Sequence, residues 1–283
     1  MSKSALVVRD ASGNMLYDTS KTIYGLIKSG PVEFAGKWNR YQSGMGDYIY
    51  AFRVTSAVSP IVFTVGTCGR PYQSKEGNDT VFYFSGPVSG LRVYCFDIMR
   101  PIFTGPALKT RDESSNFTFN SLQRPLNVKG TTVCPPPTGP WAPPPSAQVP
   151  TTPVGIQGGS SYHAQAQIIS QMIAGFRAYY YDALIDPTRQ KVFAAHIPWS
   201  RGCWILGDVN EGSGSYYIQG GDEGCSGIGG GFIRHIFWGA PETTYTSVDV
   251  RNRPGMYSLT VDPRPACMYI DTAEYPYPFN PQL

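Results

Sequence analysis

Three histidines, six cysteines and one glycine-rich stretch are the residues with which this chain could do chemistry. Acid–base or nucleophilic catalysis needs a base set beside a nucleophile in a coherent local context. His163 opens a run with helical spacing, while His196 and His235 stand at or within apolar strands. These positions suit hydrogen-bonded structural imidazoles better than catalytic bases. No H-E-x-x-H, G-x-S-x-G or Walker-type loop occurs. The cysteines, Cys68, Cys95, Cys134, Cys203, Cys225 and Cys267, lie tens of residues apart with no C-x-x-C pair. Zinc motifs take their ligands in close pairs, so this spacing points away from a metal, and no cofactor is expected. Without an export signal the chain is expected to fold in a reducing cytosol, its cysteines serving as small buried apolar residues or idle thiols.

The stretch Gly220–Gly231 would let backbone approach a ligand closely, and Cys225 sits inside it. A phosphate cradle wants a lysine and a following helix N-terminus, whereas Asp222 and Glu223 repel anions and a strand pattern follows. The same acids disfavour a thiolate nucleophile, so the stretch is expected to be a mobile surface loop. A carboxylate pair for sugar hydrolysis, drawn from Asp208, Asp222 and Glu223, is a minor alternative; no catalytic residue is assigned. Aromatic residues offer a different chemistry, that of stacking on saccharide rings or flat protein surfaces. Tyr179, Tyr181, Trp199, Trp204, Tyr216, Tyr217, Trp238, Tyr275 and Tyr277 are the candidate contacts with a partner or receptor, against the plain alternative that they fill the core.

The elements that must position these groups are mostly strands. Ala5–Asp10, a Ser-Gly-Asn turn and Met15–Asp18 predict a hairpin. Tyr48–Val54, Ile61–Val65, Val81–Phe84, Leu91–Phe96, Phe117–Asn120 and Pro125–Val128 predict further strands. Nine prolines within Cys134–Pro153 predict an extended strap, because each removes a backbone donor and fixes φ. After it, Ser160 and Ser161 can cap a helix over about 161–174, with apolar residues at helical spacing and Gly175 to end it. Strand patterns resume at Phe176–Tyr181, Val192–Ala195, Trp204–Leu206, Ser215–Ile218, Phe232–Trp238, Tyr257–Val261 and Cys267–Ile270. The tail Tyr275–Pro281 alternates proline with aromatics, and an exposed apolar tail is expected to lie along a partner surface. The expected organisation is therefore all-β. An N-terminal domain spans 1–132 and a proline-rich linker 133–155. A C-terminal domain spans 156–283, and each domain is a sandwich or small barrel.

Composition narrows the classes further. Glycine and proline number 31 and 25 of 283 residues, and charged residues make only 15%, which excludes helical bundles and coiled coils. Apolar residues at 41% argue against disorder. No apolar run is long enough for a spanning helix. Residues 1–132 carry 15 Lys and Arg against 9 Asp and Glu, and residues 133–283 carry 8 against 11. Neither half is basic enough to predict nucleic acid as a partner. The opposite signs could help the halves or neighbouring copies find one another.

The opening Leu6-Val-Val-Arg-Asp-Ala-Ser-Gly-Asn-Met-Leu-Tyr-Asp-Thr-Ser20 resembles the start of small tail proteins of long-tailed bacteriophages. Those begin with a strand, a D/N-x-x-G turn and an aromatic-Asp-(Thr)-Ser close. Phe117-Thr-Phe-Asn-Ser-Leu-Gln-Arg-Pro-Leu-Asn-Val128 is similar to a degenerate second copy of the closing half. The resemblance covers about 40 residues before the strap and none after it. It implies a non-enzymatic virion component of the tail tip or baseplate, made in the bacterial host cytoplasm. Other phage tail proteins would be its partners, and a homo-oligomer, with a trimer favoured, its state. The alternative is a receptor-binding adhesin whose second half binds a host surface saccharide or pilus.

Overall fold

The computed structural model describes residues 7–9, 11–13, 15–18, 22–39, 46–86, 88, 90–134, 163–167, 176–208, 216–240, 245–247, 255–257, 259 and 262–281. Strand follows strand throughout. The first half holds β1 (Val7–Arg9), β2 (Met15–Asp18), β3 (Tyr24–Pro31), β4 (Glu33–Asn39), β5 (Gly46–Thr55) and β6 (Ile61–Val65). It continues with β7 (Tyr72–Glu76), β8 (Asp79–Ser85), β9 (Arg92–Ile98), β10 (Lys109–Arg111), β11 (Phe117–Asn120) and β12 (Gly130–Val133). The second half holds β13 (His163–Gln167), β14 (Phe176–Leu184), β15 (Phe193–His196), β16 (Gly202–Asp208) and β17 (Tyr216–Gly229). It closes with β18 (Phe232–Gly239), β19 (Tyr245–Ser247), β20 (Gly255–Tyr257) and β21 (Ala266–Asp271), then one 3-10 turn over Thr272–Glu274. The all-β expectation stands. No helix among the described residues is long and apolar enough to cross a membrane.

The layers follow from the apolar runs. Strands buried on both faces read as continuous apolar stretches, and Ile61–Val65 and Arg92–Ile98 do so. Val62, Val93 and Cys95 point to one side, where Phe52, Val54, Phe82 and Phe84 of the β4-β5-β8-β7 sheet close a sandwich core. Phe63, Val65, Tyr94 and Phe96 point to the other, where they meet Ala194, Ile270 and Tyr275 from the far end of the chain. Alternation at period two thus gives one ladder two cores.

That double burial bears on domain organisation. The β3-β9-β6 ladder belongs to a thirteen-stranded sheet whose main path runs β12-β21-β15-β6-β17-β18-β14-β13. Strand β6 bridges β15 at Thr64 and Ala195, and β17 at Val65 and Gly227. Strand β12 pairs along its length with β21. Strands from both sides of the proline-rich segment therefore share one sheet, so 1–132 and 156–283 are not separate sandwiches joined end to end. The segment itself lies outside the described residues, except for Cys134, which is buried.

Three local expectations change. The helix expected at about 161–174 is replaced at His163–Gln167 by β13, which pairs antiparallel with β14 from His163 opposite Tyr180 to Gln167 opposite Phe176. The rest of that expected helix lies outside the described residues. An available strand edge outweighs the helix preference of alanine and glutamine, which here extends over only a few residues. Pro125–Val128 forms no strand, only an isolated bridge from Gly25 to Pro125. The aromatic tail lies along its own chain. Ser29 and Phe279 exchange backbone hydrogen bonds of 2.7 and 2.9 Å, and the Tyr275 hydroxyl, accepting from Asn127 N, donates to the Pro125 carbonyl.

Candidate functional site

The glycine-rich stretch is where the structure departs most from expectation. Gly220–Gly229 lies within β17, the longest strand among the described residues, which pairs with β16 on one side and β18 on the other. Its glycines admit neighbouring backbone. A Cβ on Gly227 would stand 1.7 Å from the Phe193 carbonyl oxygen, and one on Gly224 would stand 2.8 Å from the backbone nitrogen of Arg70. Without side chains there, β17 sits close against β15 and against the Gly69–Arg70 segment, so what sequence reads as a loop is a central strand.

The side chains that β17 does carry build a buried polar cluster. Glu223 and Cys225 alternate onto the same face, and Cys225 is directly opposite His235 of β18. Cys267 reaches the same space from β21, and Cys134 follows the end of β12 two residues past the Thr132–Cys267 pair. All five side chains are buried. The Cys267 Sγ lies 3.5 Å from His235 Nδ1, Glu223 Oε1 lies 4.0 Å from that nitrogen, and the Cys134 thiol donates to Glu223 Oε1 at 3.0 Å. Arg201, immediately before β16, clamps both carboxylate oxygens of Glu223 through Nε at 2.7 Å and Nη2 at 3.0 Å. Its backbone carbonyl also accepts from Glu223 N, and its guanidinium lies 5.4 Å from the centre of the Phe237 ring.

The electrostatics of the cluster are uneven. Burial pushes the Cys225 thiol well above its ordinary value. Cys267 moves the other way, to about 6, because the Cys225 thiol donates to it and His235 adds a second hydrogen bond. Elsewhere burial raises Cys68 to about 12 and holds Cys95 and Cys203 well above the usual thiol range. All six cysteines are buried and none forms a disulfide. Two sets of potential ligand atoms meet here: Cys225, His235 and Cys267, and Cys134, Glu223 and His235, each within 4.8 Å of one another. Sequence spacing concealed them because these residues come from three strands and the residue that follows a fourth, which only the sheet brings together. The one local signal was a cysteine two residues after a glutamate in a strand-compatible stretch.

The aromatic candidates whose side chains are described do not converge on one surface. Tyr179, Trp238 and Tyr275 are buried, with Tyr179 in the same core as Cys134 and Phe237. Tyr181 and Tyr277 are half-buried, Tyr181 beside the His235 ring and Tyr277 against Tyr94. Trp199 and Trp204 are exposed at 39% and 37%. Tyr216 and Tyr217 pair in β17 with β16 and β19, and their side chains lie outside what is described. Asp222 accepts a hydrogen bond from the Tyr72 hydroxyl, and Glu223 is enclosed by Arg201 and Cys134. Asp208 pairs through its backbone with Tyr216. A different surface feature is an open groove of about 530 Å³ between β3, β4 and β5, flanked by Phe34, Lys28 and Arg53.

No family model, no curated protein and no solved structure matches this chain.

Proposed function

We propose that the chain is a non-enzymatic structural component of a bacteriophage tail, at the tail tip or baseplate. It assembles there with other tail proteins and with copies of itself, a trimer being the favoured state, after synthesis in the bacterial host cytoplasm. The observation that carries this reading is the N-terminal hairpin. Strands β1 and β2 pair Val7 with Asp18 and Val8 with Tyr17, and they make a two-stranded sheet of their own. A lone two-stranded hairpin is marginally stable in water and gains its stability from the surface on which it packs. The hairpin is also the segment that resembles phage tail proteins, and Val7 is 41% exposed upon it. The second copy of the motif begins in another two-stranded sheet, β10 with β11. Two short hairpins outside the large sheet suit a part that docks on neighbours.

The test is assembly. Light scattering on the purified full chain and labelling of intact virions are expected to show an oligomer and its place in the tail. Deleting residues 1–20 is expected to leave the main sheet folded and to abolish incorporation. A stable monomer that is absent from purified particles would overturn the reading.

A receptor-binding role is a second reading, supported by the exposed Trp199 and Trp204. Full-length protein would then compete with phage adsorption, and Trp199→Ala with Trp204→Ala would remove the competition. Absence of competition by the wild-type chain at micromolar concentration would dismiss it.

A further inference from the structure

We propose that Cys225, His235 and Cys267, completed by Cys134, bind a structural Zn²⁺ ion inside the sheet. The argument begins with ligand type. Thiolate and imidazole together select borderline-soft cations, and closed sets of four such ligands are those of structural zinc. Geometry follows. Tetrahedral zinc with bonds of about 2.3 Å to sulfur and 2.0–2.1 Å to nitrogen places neighbouring S and N ligands about 3.6 Å apart. Cys267 Sγ and His235 Nδ1 lie 3.5 Å apart, and the Cys225 ligand atom falls within 4.8 Å of both.

The fourth position is assigned to Cys134 rather than to Glu223. Arg201 already engages both Glu223 oxygens, and the softer thiolate better matches the cation. Cys134 Sγ sits within 4.8 Å of the His235 ligand atom, in the group with Glu223 rather than in that with Cys225 and Cys267, and closes on those two sulfurs when the ion binds. The Cys134 thiol gives up its hydrogen bond to Glu223 when the sulfur ligates as thiolate, and the Arg201 guanidinium, which holds Glu223 in place, offsets the repulsion between thiolate and carboxylate. On binding, the protons that the three cysteines and His235 still carry leave to solvent, and the cation accepts three thiolates and one neutral imidazole. The ligands join β17, β18, β21 and the end of β12, so the ion would staple strands from both sides of the proline-rich segment.

The experiment uses the full chain without a histidine tag. Elemental analysis of protein from zinc-containing medium is expected to give one zinc per chain that survives dialysis. Replacement by Co²⁺ is expected to show tetrahedral d–d bands and a strong thiolate-to-cobalt charge-transfer band. Cys134→Ser is expected to lower that charge-transfer intensity by about one third, from three thiolates to two. Cys68→Ser, in the separate sandwich core, is expected to leave it unchanged. If Cys134→Ser fails to fold, the wild-type cobalt spectrum still counts the thiolates. Zinc that washes out, an octahedral cobalt spectrum, or a Cys225–Cys267 disulfide in non-reducing peptide mapping would each overturn the proposal. Unchanged charge-transfer intensity in Cys134→Ser would overturn the assignment of the fourth ligand.

Discussion

Arg201→Met tests whether the buried cluster holds the fold together through charge. In the native chain the Arg201 and Glu223 side chains are 1% and 0% exposed, and two hydrogen bonds of 2.7 and 3.0 Å join them. Removing the guanidinium leaves the carboxylate in the interior with the Cys134 thiol still donating to it. An uncompensated buried charge of this kind destabilises by about 3–5 kcal/mol. At roughly 2–4 °C per kcal/mol for a chain of this size, the melting temperature should fall by about 6–20 °C. Glu223→Gln leaves the opposite charge stranded and should fall into the same range. The double variant Arg201→Met/Glu223→Leu removes both charges and should be more stable than either single variant, since ion pairs replaced as a pair by apolar groups are often near neutral. Thermal and urea unfolding of the four proteins at one fixed zinc concentration gives the cycle. Two single variants within about 0.5 kcal/mol of wild type, with an additive double variant, would refute the reasoning.

Other perturbations probe separate elements. Gly227→Ala places a Cβ 1.7 Å from the Phe193 carbonyl, which strand displacement alone could relieve. Its expected loss is about 4 kcal/mol or more, read as insoluble or non-cooperatively unfolding protein. Tyr275→Phe leaves the Asn127 amide and the Pro125 carbonyl without their shared partner under the tail. Denaturant unfolding should show a loss of about 1–3 kcal/mol. Burial holds the His196 imidazole below its usual 6.5, against the opposing effect of its bond to the Val62 carbonyl. The unfolded chain therefore binds the extra proton first, and stability present above 6.5 is lost as pH falls below it. His196→Asn should flatten that slope between neutral and acid unfolding series.

Most of the strands were legible because their signal is local. Met15–Asp18, Ile61–Val65 and Phe117–Asn120 stand where alternation and turn residues put them. The misses share a different cause. His163–Gln167 has helical spacing but meets the edge of β14, and that edge decides its conformation. Tyr72–Glu76 has only exposed or half-exposed residues and shows no apolar alternation, yet it pairs fully with β8. Gly220–Gly229 lacks the side chains by which a strand is usually recognised, although their absence is what allows β15 and Gly69 to approach. The candidate site was invisible for a further reason: Cys134, Cys225, His235 and Cys267 have no common spacing, and their proximity is a property of strand order alone.

By itself the sequence determined an all-β chain, the hairpin at its start and the burial of its cysteines. Each follows from short-range rules of turn geometry, period-two alternation and transfer of apolar groups from water. Tertiary structure alone decided that strands from the two halves share a sheet, that the aromatic tail covers its own β3–β9 ladder, and that buried Cys134, Glu223, Cys225, His235 and Cys267 come together. Those outcomes depend on which strand edges and apolar faces find one another across long separations, and no local pattern carries that pairing energy.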